Sequence, residues 1–167
     1  MPARKRGLTA AEFIRELDGN PEYPARLADQ ERQRAALAAE CATDQRALLQ
    51  ELQAVGVRAE SVWDFVSAGG APLRAVPVLA AHLTQAHHPR VWEGIVRALS
   101  VKHARESALS PLLLAYRAES DPSNRWVLAN AIGSMARLAE VRDLPNIDEY
   151  RALFRQSRKP PHRDPAV

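Results

Sequence analysis

The heptapeptide PVLAAHL beginning at Pro77 returns as PLLLAYR at Pro111 and as PNIDEYR at Pro145, a step of 34 residues each time. Each copy has a proline, apolar positions after it, and a ring at the sixth place: His82, Tyr116 and Tyr150. Proline costs nothing in the first turn of a helix, because its missing N–H would have had no partner inside the helix. The segment after each of the first two heptapeptides repeats as well. Pro89 maps onto Pro122, Ala98 onto Ala131 and Leu99 onto Ile132, all at a step of 33 residues. The predicted unit is a pair of helices, and each pair must bury its apolar face against the next.

The rest of the chain agrees with an all-α reading. Strand-like alternation is absent, and 46% hydrophobic with 26% charged residues is the balance of a globular protein. At 167 residues the chain has the length of one domain. LTAAEFIREL opens with a capping box from Thr9 to Glu12, and Phe13, Ile14 and Leu17 mark one helix face. Asp18-Gly19-Asn20-Pro21 stops it. A helical stretch over 24–55 comes next, sparse in apolar residues at first and dense later, with a break near Thr43-Asp44 and Gly56 as its C-cap. Ser61 and Asp64 predict a second capping box on a short helix that Gly69-Gly70 ends. Next come helices over AVPVLAAHLTQA and RVWEGIVRALSV joined by the turn HHP, then SPLLLAYRAES and RWVLANAIGSMARLA joined by DPSN, then LPNIDEYRALFRQ. Ser110-Pro111, Asp121-Pro122 and His88-Pro89 read as helix starts. The proline-rich basic tail SRKPPHRDPAV reads as disordered. The expected organisation is a helical N-terminal extension over 1–45, helical repeats over 46–157 and a tail over 158–167.

HHPRVWEGIVRALS and DPSNRWVLANAIGS resemble the second helix of HEAT repeats, whose pattern is an Asp-Pro turn, an apolar residue, an arginine and a small-apolar ending. The second copy has Asp121, Pro122, Arg125, Ala131, Ile132 and Gly133 in those places. The first has Pro89, Val91, Ala98 and Leu99, with Trp92 where the arginine belongs and His88 where the aspartate belongs. The chain is similar to small bacterial HEAT-repeat proteins over roughly residues 46–157, with GVRAESVWDFV followed by AVPVLAAHL as a second point of likeness. The resemblance implies an α-α superhelix, a short right-handed solenoid, whose second helices line the concave side. It implies no single activity.

A helical wheel locates the free face. With Ile95 at the core centre, Val91, Ala98, Leu99 and Lys102 fall within about 60° of it, while Glu93 and Arg97 point away and Trp92 sits at the flank. Thirty-three residues on, Leu128 takes the centre with Asn124, Ala131, Ile132 and Met135 around it. Arg125 then takes the flank, and Trp126 and Asn130 point away. In the preceding short helix Val62 takes the centre, leaving Glu60 and Asp64 outward. The expected partner-binding set is therefore Glu60, Asp64, Trp92, Glu93, Arg97, Arg125, Trp126 and Asn130. Trp and Arg are enriched where proteins meet; burial of Trp126 under the tail or the last helix is the competing expectation.

Catalytic chemistry finds little purchase. No Gly-rich phosphate loop, G-x-S-x-G elbow or H-E-x-x-H is present. His82 and His87 stand five residues apart, a poor spacing for one helix face, and together with His88 they read as packing or turn residues rather than zinc ligands. The single cysteine, Cys41, excludes an intrachain disulfide and a multi-cysteine zinc site, fits a reducing compartment, and has no activating neighbour in sequence. The start, MPARKRGLTAAEF, has no apolar run behind its basic front, and no stretch reaches 18 uninterrupted apolar residues, so a cytoplasmic chain without a membrane partner is expected. Twenty of the 23 basic residues are arginines, but 20 acidic residues leave a net charge of only +3. The basic ends, ARKR at 3–6 and Arg151, Arg155, Arg158, Lys159 and Arg163, read as solvated tails. Some HEAT-like proteins excise alkylated DNA bases in a basic cleft with aromatics and an acid, a role Trp63, Asp64, Trp92 and Trp126 would have to fill. The outward stripe of Glu60, Asp64, Glu93, Arg97, Trp126 and Asn130 carries three acids to one arginine, the wrong balance for phosphate. The sequence therefore predicts a non-catalytic module that binds another protein, a scaffold, adaptor or toxin-neutralising partner. It needs no cofactor or metal, and nucleic-acid binding is the competing class.

Overall fold

A computed structural model describes residues 22–142 together with residues 9, 10 and 148. The Thr9–Glu12 box, the apolar face of Phe13, Ile14 and Leu17, the third heptapeptide with Tyr150, the basic ends and the tail lie outside the described residues. Every regular element among the described residues is helical. In chain order they are α1 (Glu22–Asp44), α2 (Arg46–Ala54), α3 (Val62–Ser67), α4 (Val76–His82), α5 (Pro89–Ala98), a 3₁₀ turn (Lys102–Ala104), α6 (Arg105–Ala118), α7 (Pro122–Met135) and α8 (Leu138–Val141).

The chain divides into two compact units, residues 1–40 and 41–167. In the first, the described part of α1 is polar with alanine filler, has no buried residue, and pairs Arg32 with Asp29 on its surface. The second unit contains one continuous apolar core. Its helices fall in two rows. Helices α2, α4 and α6 pack side by side, as do α3, α5 and α7, and α6 lies against α7 to join the rows.

Local chemistry explains most element ends. The break after Asp44 falls where the sequence puts it, and Gln45 there is buried, its Oε1 accepting the Val62 N–H at 3.1 Å. Gly56 comes after α2 at φ +79°, open to glycine and costly to other residues. Ser61 caps α3 through the Trp63 N–H, and Asp64 Oδ2 accepts from the N–H groups of Ser61 and Glu60, so the predicted capping box is present. Gly69 and Gly70 end that helix at positive φ. Asp121 accepts from the N–H groups of Ser123 and Asn124 and starts α7 at Pro122. His88 caps α5 with Nδ1, which accepts the Arg90 N–H at 3.1 Å.

Three expectations are corrected. Pro111 does not start a helix. Helix α6 begins at Arg105, and Pro111 sits in its interior, where the carbonyl of Ser107 loses its helical donor. Ser107 is exposed, so water replaces that donor, and Leu109 and Leu112 on either side of the proline are buried in the core. Helix α4 ends at His82 rather than running on through Ala86. Helix α5 ends at Ala98, so Lys102, placed by the wheel on the core side of that helix, is instead exposed on the 3₁₀ turn. The predicted core centres hold: Ile95 and Leu128 are fully buried, as are Val62, Val91, Ala98, Leu99, Ala131 and Ile132. The shared ring position is also interior, with His82 and Tyr116 both buried.

Candidate functional site

Helices α3, α5 and α7 form the row that carries the expected partner-binding residues. Their close approach depends on Gly94: a Cβ built there would stand 2.6 Å from Val62 Cγ2 and 3.1 Å from Trp63 Nε1. Nothing larger than glycine lets α3 and α5 meet at this separation.

On this row the structure brings Trp63, Arg90, Glu93, Arg97 and Trp126 into one connected line. Arg97 Nε donates to Glu93 Oε1 at 2.7 Å, one helical turn back. The Arg97 guanidinium also reaches across to α7, 5.9 Å from the centre of the Trp126 ring. Arg90 reaches the other way, 4.4 Å over the Trp63 ring of α3, and the Trp63 indole N–H donates to the Arg90 carbonyl at 3.2 Å. Arg90 and Glu93 stand 3.9 Å apart. A guanidinium over an indole face is held by the ring's negative quadrupole, and these planar groups lose little freedom on contact. Trp63, Glu93, Arg97 and Trp126 are half-buried, so each ring and guanidinium keeps an open side.

The remaining predicted residues divide by role. Glu60 is exposed beside the start of α3. Asp64 commits its carboxylate to the capping box. Trp92 is half-buried at the other edge of α5 and donates its indole N–H to the Leu83 carbonyl at 3.4 Å, a tie between α4 and α5. Arg125 is a brace within the α6–α7 pair: its guanidinium donates to the Glu119 carbonyl at 3.0 Å and to the Tyr116 hydroxyl at 3.3 Å, and lies 4.6 Å over the Tyr116 ring. Asn130 is half-buried on α7.

Two members of the line, Trp63 and Arg90, were missed as partner-binding residues. The wheel treats each helix alone, and both owe their position to the α3–α5 crossing. The one available signal was spacing: Arg90 and Arg97 are two turns apart, so they emerge on one side of α5.

Among the described residues no group of three or more His, Cys, Asp or Glu could hold a metal ion. Cys41 Sγ lies 3.5 Å from His88 Nδ1. That nitrogen accepts the Arg90 N–H as a helix cap. An open cleft of about 500 Å³ runs past Arg58, Asp64, Phe65, Gly70 and His103, but Asp64 is committed to capping and His103 Nε2 is 2.7 Å from the Ala71 carbonyl. No helix among the described residues is long and apolar enough to cross a membrane. The chain matches no protein-family model, no curated protein and no solved structure.

Proposed function

We propose that this chain is a HEAT-like helical-repeat module, an α-α superhelix with a helical N-terminal extension, that binds another protein through α3, α5 and α7 and performs no catalysis. The two-row packing of the second unit supports the repeat reading, since α4–α5 and α6–α7 are successive helix pairs whose first helices share one row and whose second helices share the other. The single observation behind the binding reading is the line of tryptophan and arginine across three neighbouring helices. Trp and Arg are the side chains on which binding energy concentrates, and here they are pre-ordered by one another before any partner arrives. In a superhelix this row is the concave side. A cytoplasmic scaffold, adaptor or toxin-neutralising role fits such a face.

Phosphate binding is disfavoured on the same geometry. Glu93 lies against both Arg90 and Arg97, and Glu60 is exposed beside the start of the neighbouring helix, where Asp64 also lies. A polyanion would have to displace or approach these carboxylates.

The test is site-directed photo-crosslinking in the source cell. A photoreactive residue at Glu60, on the proposed face, is expected to give a discrete polypeptide adduct that disappears with Trp126→Ala or Arg97→Ala. The same residue at Leu114, 57% exposed on the opposite row, is expected to give none. Equal adducts from both positions, or an adduct indifferent to both substitutions, refute the assignment. So does tight duplex-DNA binding that falls steeply with salt.

A further inference from the structure

Asp44, His87, His82 and Glu51 form a hydrogen-bonded chain. His87 Nδ1 lies 2.8 Å from Asp44 Oδ2, His87 Nε2 lies 2.9 Å from His82 Nδ1, and His82 Nε2 lies 3.2 Å from Glu51 Oε2. The chain runs from the end of α1 through the α4–α5 turn and the end of α4 to α2. The sequence spacing argued against the two rings meeting on one helix face; they meet because α4 stops at His82 and the chain doubles back.

Three hydrogen bonds need three hydrogens. Two ionised carboxylates supply none, and two neutral imidazoles supply one each. With each neutral ring donating to its carboxylate, His87 Nε2 and His82 Nδ1 would both be bare, and two lone pairs would face each other at 2.9 Å. Water cannot relieve this, because His82 is 1% and His87 5% exposed. One further hydrogen completes the chain, whichever of its atoms carries it.

We propose that this cluster is a proton-operated tie: with one proton beyond two neutral imidazoles it links α1 and α2 to the α4–α5 turn, and loss of that proton releases Glu51. The end that opens follows from the anchoring. Asp44 is held on its other oxygen by the His88 N–H at 3.0 Å, and its bond to His87 stays. Glu51 is 55% exposed and has water available. When the proton passes to solvent, His82 keeps its hydrogen on Nδ1 and donates to His87 Nε2. Its bare Nε2 then faces the Glu51 carboxylate, two acceptors that repel. The cluster goes from a net charge of −1 to −2, and Glu51 turns outward.

The charged groups on the neighbouring elements whose contacts are defined are held away from the pair. On α5, Arg90 and Arg97 pair with Glu93 and the two tryptophans. On α6, Arg105 reaches Glu140 and the Met135 carbonyl. His88 is turned to the Arg90 N–H and Cys41. On α2, Arg46 is exposed and borders a separate cleft with Gln50 and Gln53.

The experiment is side-chain NMR of ¹⁵N-histidine and ¹³C-glutamate protein across about pH 5 to 8, where imidazole charge changes occur. The expected result is a single one-proton step shared by His82 and His87, with the Glu51 carboxyl carbon shifting at the same pH. Protection of the α4 backbone amides, corrected for intrinsic exchange, falls about tenfold across that step, the scale of one lost hydrogen bond. In Glu51→Gln the amide can donate to a bare Nε2, so the step in protection disappears while the fold stays. Independent titration of the two histidines, an unmoved Glu51 carbon, or an unchanged protection step in Glu51→Gln would overturn the tie. One tightly held equivalent of zinc that abolishes the step would overturn it too, since a metal bound by the ring nitrogens would then stand in place of the shared proton.

Discussion

Replacing Gly94 with alanine tests the contact on which the candidate face is built. The added Cβ would lie 2.6 Å from Val62 Cγ2, 3.1 Å from Trp63 Nε1 and 3.3 Å from Trp63 Cε2. Carbon atoms at rest sit about 3.5–4.0 Å apart, so α3 must withdraw from α5 by about 1 Å. Val62 cannot yield by rotating away: it is β-branched, fully buried, and its N–H is held by Gln45. Overpacking of this kind costs about 1–3 kcal/mol, and the better helix propensity of alanine offsets about 1 kcal/mol. The expected net loss is about 1 kcal/mol. Val62→Ala alone should cost about 2 kcal/mol in lost burial. It also removes the methyl group that Gly94→Ala strikes, so in that background Gly94→Ala should be neutral or stabilising. Urea unfolding followed by far-ultraviolet circular dichroism gives the double-mutant cycle. The two changes should be non-additive by about 1–2 kcal/mol in the rescuing direction. Additivity within about 0.5 kcal/mol, or a Gly94→Ala protein more stable than the parent by its propensity alone, would refute the close α3–α5 approach.

Other positions give separate tests. Gln45→Leu keeps the apolar surroundings but leaves the buried Val62 N–H without an acceptor, and chemical denaturation should show a loss of about 1–3 kcal/mol. Pro111→Ala restores a donor to the Ser107 carbonyl within α6, so thermal unfolding should show a gain of about 2–2.5 kcal/mol, the propensity difference less the entropy proline removed from the unfolded chain. Glu140 is held below the ordinary carboxylate pKa by the Arg137 backbone N–H, then by Arg105. Its contribution is therefore present above the unfolded-state value and lost as pH falls through the lower folded one, and Glu140→Gln should flatten that part of the acid limb of a stability–pH curve.

What could be read without a structure was what neighbouring residues settle among themselves. Asp121 before Pro122, Ser61 three places before Asp64, and Gly56 after α2 each mark an element end, because caps and positive-φ positions are set locally between side chain and backbone. The core centres at Ile95 and Leu128 were legible for a similar reason, since a 3.6-residue period projects directly onto one buried stripe. Pro111 misled because its local meaning was outweighed: the apolar residues flanking it gain more by continuing α6 into the core than the helix loses at one exposed carbonyl.

The candidate face was legible only in part. Glu93, Arg97 and Trp126 came from the wheel and the repeat step. Trp63 and Arg90 did not, because their meeting depends on a helix crossing that Gly94 permits, and a glycine inside a helical pattern does not announce what it touches. The Asp44–His87–His82–Glu51 chain lay still further out of reach, joining residues 43 and 31 positions apart in sequence. The sequence alone determined that the chain is helical, where several of its helices start and stop, and which stripes are buried, all consequences of short-range backbone and periodicity physics. Only the tertiary structure decided which side chains stand within reach of each other, because a contact a few ångströms long is set by how two helices cross, and no local pattern carries that angle.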